Sequence, residues 1–169
     1  MTVDDSFRDY ASRKLVQSCE RIGSCFELLT DEQVWFRSGD ASNTLGNLAL
    51  HLTGNVRQWI LHGVGGATDT RIRDTEFAAS GGMGRTQLVE RLKATVEEAT
   101  AVIRAADLTA TVRVQNYEQP AVEAIFHVVE HFSYHTGQIA FATKAFTDRD
   151  LGFYGFLQSR HKPESERTP

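Results

Sequence analysis

The stretch His127-Val128-Val129-Glu130-His131-Phe132-Ser133-Tyr134-His135 places three of the chain's six histidines at intervals of four. Residues four apart lie one above the other on a helix, about 40° apart around the axis and about 6 Å along it, so each neighbouring pair is spaced to chelate one metal ion. All three cannot serve one ion, because His127 and His135 stand about 12 Å apart along the axis against a metal–nitrogen bond of about 2 Å. The surrounding pattern indicates which pair faces inward. Ile125, Phe132, Ile139 and Phe146 recur at seven, with Val122, Val129, Thr136 and Thr143 as a second row, and the core is expected between the two rows. Measured from Phe132, His135 lies about 60° off, His131 about 100° and His127 about 140°, all on the same side. His135 and His131 therefore border the interior, whereas His127 points mostly away. Pro120 suits the first turn of this helix, which is expected to run to about Phe146.

Three more helical patterns lie upstream. Ala11, Leu15, Ser18, Ile22, Cys25, Phe26 and Leu29 mark helix one from Asp5 to about Leu29, with Asp4, Asp5 or Ser6 as N-cap. Leu45, Leu48, Leu52, Val56 and Trp59 mark helix two, capped by Ser42 or Asn43 and running to about His62. Taking Leu52 as the centre of its buried face, His51 falls about 100° to one side and Asn55 about 60° to the same side, so both border the core. Leu88, Leu92, Thr95, Ala99, Val102 and Ala106 mark helix three, ending near Asp107 with its charges outward. Trp35 and Phe36 most simply cap the end of the core.

The stretch from Gly63 to Gly84 holds six of the thirteen glycines and no sustained periodicity, so it reads as a long connection between helices two and three. Its Arg71, Arg73 and Asp74 read as solvated loop charge, with reach to a site mouth as the functional alternative. Between helices three and four, Thr111-Val112-Arg113-Val114 alternates and suggests a short extended piece. The aromatic segment Leu151 to Phe156 is expected to pack on the helices, and Lys162 to Pro169 to fray, most of all 163–169. The expectation is an all-α fold, a four-helix bundle in one domain spanning residues 1–169.

Composition excludes several classes. A net charge of −4 and a pI near 5.8 offer no basic surface for nucleic acid. The acidic start has no long apolar run behind it and no stretch is long enough to span a membrane, so no membrane partner and a cytoplasmic location are expected. Cys19 and Cys25, six apart on one helical pattern, face different sides and read as reduced, half-buried thiols without a catalytic role.

Metal chemistry remains. A helical pair such as His131 and His135 also occurs as hydrogen-bonded structural histidines, and that reading stands beside the metal one. His51 borders the core of another helix in the same flanking fashion, and three imidazoles from two helices would leave open positions on a metal. Neutral nitrogen donors suit Zn, Ni or Fe. No HExxH and no Glu-x-x-His is present, since Glu123 stands four before His127 and Glu130 adjoins His131; no Gly-x-Ser-x-Gly and no phosphate loop are present either.

Leu45-Gly46-Asn47-Leu48-Ala49-Leu50-His51-Leu52-Thr53-Gly54-Asn55, followed eighty residues later by Glu130-His131-Phe132-Ser133-Tyr134-His135-Thr136-Gly137-Gln138-Ile139, resembles the DinB-like (DinB/YfiT) metalloenzymes over nearly the whole chain. The resemblance implies a four-helix bundle with a metal near one end, held here by His51, His131 and His135. It matches no ligand role to His127, which is left as a neighbour of the site, a surface residue or a structural one. It also implies a thiol-dependent transferase or isomerase working on a small-molecule substrate with a low-molecular-weight thiol. A hydrolase, in which the metal activates water, is the related possibility. Asn55, Tyr134 and Gln138 are the candidates for orienting a ligand or substrate. The reading from another class is a catalytically silent bundle stapled by its metal and acting as a homodimer, with Phe153, Tyr154 and Phe156 as contacts.

Overall fold

A computed structural model describes residues 2–155. Four long helical segments and a short hairpin surround one continuous apolar cluster. Helix α1 spans Val3–Glu27, α2 Asp31–Val34, α3 Leu45–Val56, α4 Arg73–Ala78, α5 Arg85–Ala105 and α6 Ala121–Thr147. Helix α3 continues without a break as a π-helical segment, Arg57–Val64. Helix α1 packs mainly on α5 and α6, and α3 on α5 and α4, so α3 and α6 meet across the core. Leu15, Ile22, Leu52, Leu92, Ile125, Phe132 and Ile139 are fully buried there. No described helix is long and apolar enough to cross a membrane.

The starts of α1 and α3 are set by capping boxes one to four residues from the expected caps. Thr2, not Asp4, Asp5 or Ser6, caps α1 by accepting from the Asp5 backbone N–H, while the Asp5 carboxylate accepts from that of Thr2. Thr44, not Ser42 or Asn43, caps α3 in the same way with Asn47. Such reciprocal pairs satisfy two otherwise orphaned donors at once. Asn47 does more than cap. Its buried amide nitrogen donates to the carbonyls of Glu76 and Ala79, at 2.8 and 2.7 Å, and so pins the connection between α3 and α5 to the start of α3.

That connection is more ordered than its glycines suggested. It starts inside the π-helical segment and contains α4, which lies directly on α3. The expected extended piece is half of a hairpin: β1, Thr111–Val114, pairs antiparallel with β2, Tyr117–Pro120. Gln115 occupies the tip with φ of 55°. Val112 and Val114 point into the core while Thr111 and Arg113 face outward.

Other expectations shift in detail. The buried face of α6 comprises Ala121, Ala124, Ile125, Val128, Phe132, Thr136, Ile139 and Thr143, so its centre lies on the histidine side of the Phe132 row rather than between the two rows. Phe146 is 36% exposed, and Phe36, 55% exposed, meets it edge-on instead of capping the core. Trp35 does cover the core's end, lying on Gly46 and donating its indole N–H to the Met83 carbonyl. Cys19 and Cys25 are free and buried, not half-buried. Leu151 and Phe153 pack against the core, whereas Phe156 and 162–169 lie outside the described residues.

Candidate metal centre

His51 comes from the middle of α3, and His131 and His135 come from successive turns of α6. Their ligand atoms all lie within 4.8 Å of one another. His51 Nε2 faces His131 Nε2 at 2.9 Å, and the rings of His131 and His135 stand edge to face, 4.5 Å between centroids. The far side of each outer ring is already engaged. Nδ1 of His135 donates to Gln138 Oε1 at 2.7 Å, leaving its Nε2 lone pair free. Nδ1 of His51 lies 2.9 Å from Glu76 Oε2 and also 3.1 Å from Arg71 Nη2. The Glu76 carboxylate can only accept, so the nearer contact is Nδ1–H donating to Oε2, and Arg71 Nη2 donates to the same oxygen at 2.9 Å. A carboxylate behind a histidine fixes its tautomer and presents Nε2 as a lone pair.

Glu76 is the residue that sequence reasoning missed. It sits on α4, 8% exposed, and takes a two-pronged ion pair from Arg71 through Nε at 2.7 Å and Nη2 at 2.9 Å. Burial pushes its carboxyl up, but the hydrogen bonds from Arg71 and His51 outweigh this and hold it below the usual range. Gly54, one turn after His51, makes the approach possible, because a Cβ there would stand 1.9 Å from Glu76 Oε1. No periodicity marks Glu76. The buried Asn47, which binds the Glu76 carbonyl, belongs to a Thr-x-x-Asn capping pattern that could have drawn attention to its segment.

Arg71, expected as solvated charge, instead has a buried side chain. Its Nη1 donates to Gln58 Oε1 at 3.0 Å. Gln58, in the π-helical segment, also accepts from Gln115 Nε2 at 2.8 Å and donates to Asp69 at 2.8 Å, tying the hairpin tip and the loop to α3. Arg73 is exposed over the Phe77 ring, 4.8 Å from its centroid, and Phe77 lies 4.8 Å from His51, ring to ring. Asp74 is exposed.

His51 and His131, but not His135, open into a cavity of about 340 Å³, lined also by His127, Asn55, Trp59, Arg71 and Arg73, with Gln115, Tyr117 and Gln119 at the hairpin. His127 is therefore turned toward the site rather than away from it, flanked by Trp59 at 4.3 Å and stacked near His131 at 5.6 Å. It meets the cavity on the flank of α6, where Trp59 and the hairpin residues Tyr117 and Gln119 enclose the space beside it. Asn55 lines the same cavity, 4% exposed, and its buried Oδ1 has no partner among the described residues. Tyr134 is 64% exposed and does not line the cavity, and Gln138 reaches the site only through His135. A larger cavity of about 440 Å³ touches Arg71 and Glu76 but none of the histidines.

The donor set fits a transition metal. Burial, with further lowering from His135 and His51, brings His131 down to about 4, and burial also lowers His135 and His127. His131 and His135 are then neutral at pH 7, the ligating form. Three nitrogens around one ion at about 2.0–2.1 Å would stand about 3.3 Å apart in a tetrahedral arrangement, between the 2.9 Å of the His51–His131 pair and the 4.8 Å that bounds all three. The chain's own thiols are unsuited to nucleophilic work: burial pushes Cys19 up to about 11 and also raises Cys25.

The sequence matches the family model described as mycothiol-S-transferase over residues 12–144. The chain belongs to this family. A crystal structure of a DinB-like protein from Bacillus cereus ATCC 10987 superposes with a TM-score of 0.58, covering 77% of this chain and 86% of that one. At 16% identity the likeness concerns the fold alone. Comparison with curated protein sequences finds no match.

Proposed function

We propose that the chain is a metal-dependent thiol S-transferase, with His51, His131 and His135 as the metal ligands. The observation that carries this reading is the convergence of the three ring nitrogens within 4.8 Å, with a buried carboxylate behind His51. The family's name points to mycothiol as the thiol, and the four long helices then form a single-domain four-helix bundle of the DinB type. A divalent ion bound there, Zn, Ni or Fe, supplies the positive charge that lowers the pKa of a thiol in an open position.

The chain's residues do the rest. Glu76 and Gln138 hold the His51 and His135 rings through their Nδ1 protons. Trp59 and the hairpin wall the cavity, and Asn55 offers a buried amide to the entering ligand. Neutral His127, in the same cavity, takes the proton from the thiol. The sulfur pair so freed forms the new bond to an electrophilic carbon, and the displaced group leaves with its bonding pair.

Metal analysis of purified protein tests the ligand set. The protein should carry about one equivalent of metal, and His51→Ala and His135→Ala should each lose it. Retention by both variants would overturn the assignment. Consumption of mycothiol in the presence of a chromogenic electrophile tests the activity.

A second reading is favoured by the exposed aromatic row on the outer face of α6, Phe126, Tyr134 and Phe141, which are 59, 64 and 78% exposed. In it the metal only staples α3 to α6, and the chain acts as a homodimer through that face. A coordination sphere closed by a fourth protein ligand would support it, whereas water or an exogenous ligand in open positions supports catalysis.

A further inference from the structure

The charge inside the cavity is unbalanced. None of the ten residues that line it is acidic. Glu76, the carboxylate behind His51, is already matched by the two-pronged pair from Arg71. Three neutral imidazoles leave the double charge of a bound ion uncompensated, and Arg73 adds another. Its guanidinium makes no hydrogen bond or ion pair among the described residues and lies over Phe77, whose ring touches His51. An exposed arginine usually finds a surface carboxylate or solvent, but this one borders a cavity whose size falls in the small-molecule range of about 300–1,000 Å³.

We infer that the small-molecule substrate of this site carries a carboxylate which Arg73 receives, while its other end lies toward the histidines. The inference rests on the proposed three-histidine metal site and adds to it the chemical class of the electrophile. A planar guanidinium matches a carboxylate through two parallel N–H···O bonds, which an ammonium cannot supply. The remaining lining suits the body of such a molecule: the Trp59 and Tyr117 rings provide apolar wall, and the Gln115, Gln119 and Asn55 amides provide hydrogen-bonding groups.

The test uses protein loaded with cobalt(II), whose visible absorption reports ligands entering the coordination sphere. Succinate is compared with monomethyl succinate, which has the same length but a single carboxylate. Succinate should bind about tenfold more tightly, the gain expected of one charge-assisted pair. Arg73→Ala should bring succinate to the level of the monoester and leave the monoester unchanged, and Arg73→Lys should restore only part of the difference. Arg73 is exposed, so these variants should keep the wild-type circular dichroism and cobalt content. Equal affinities in the wild type, or an equal loss for both ligands in Arg73→Ala, would overturn the inference while the metal site stands. Failure to take up cobalt would overturn the metal-site reading and the inference with it.

Discussion

Glu76 joins two opposite requirements in one carboxylate. It must stay ionised in a buried place to orient His51, and Arg71 keeps it so. Glu76→Gln leaves a near-isosteric side chain but removes the charge, stranding Arg71 without its partner. Metal affinity should fall by about 10–100-fold, as for other groups that orient a metal ligand, and the protein should lose roughly 3–5 kcal/mol of stability, as when a buried pair is broken. Competition with a chelator measures the first and urea unfolding the second. An unchanged affinity in the folded fraction would mean that Glu76 serves only Arg71. At this scale the sequence was partly legible. His131 and His135 declared themselves by spacing, and His51 by its place beside the Leu52 stripe. Glu76 did not, because its partners are chosen by how α4 lies on α3, and nothing local to residues 71–79 encodes that.

Helix α3 and the short α4 meet at Gly54, and the contact between them decides whether Glu76 reaches His51. In an isolated helix, replacing glycine by alanine is favourable by about 0.5–1 kcal/mol. Here the added methyl would overlap a carboxylate that is fixed at both oxygens, and overpacking of this kind costs about 1–3 kcal/mol. Gly54→Ala should therefore destabilise the protein despite its helix propensity, and it should weaken metal binding as Glu76 is displaced. Thermal unfolding with and without metal checks both effects, and a variant more stable than the wild type would count against this contact. Apolar spacing revealed the long helices because burial of one face enforces it, as with Leu45, Leu48 and Leu52 in α3. Their first residues were less visible: Thr2 and Thr44 were passed over for nearer polar residues, although Thr2-x-x-Asp5 and Thr44-x-x-Asn47 place the reciprocal partners at the required offset. Helix α4 lacked an apolar period of its own, being only six residues long and held largely by Asn47 and Arg71.

Across the whole molecule, the neutral histidines couple the site to folding. Unfolded, His131 would titrate near its ordinary value of 6.5; folded, it titrates at about 4. A depressed folded value means that the unfolded chain binds protons first as pH falls. The stability contributed by neutral His131 is thus fully present above about pH 6.5 and is lost progressively toward pH 4. His135 and His127 are shifted in the same direction and add to this trend. Metal-free protein should have a lower urea midpoint at pH 5 than at pH 7.5, with a loss from His131 of at most about 2 kcal/mol over that interval, reduced by the solvent that reaches its half-buried ring. His131→Gln should flatten the dependence, and a midpoint independent of pH in the wild type would exclude the coupling. The general architecture was legible in the sequence because four apolar stripes have few ways to close around one core. The placement of His127 was not, since the flank of α6 that it occupies is enclosed by Trp59 and the hairpin, which the spacing along α6 does not report.

Gln58 binds Arg71, Asp69 and Gln115 through a single amide, so the π-helical turn, the loop beside it and the hairpin tip share one fastening. The three parts of the cavity rim are thereby tied to one another and not only to the helices behind them. The walls around the histidines thus share an anchor, Gln58, that does not itself line their cavity.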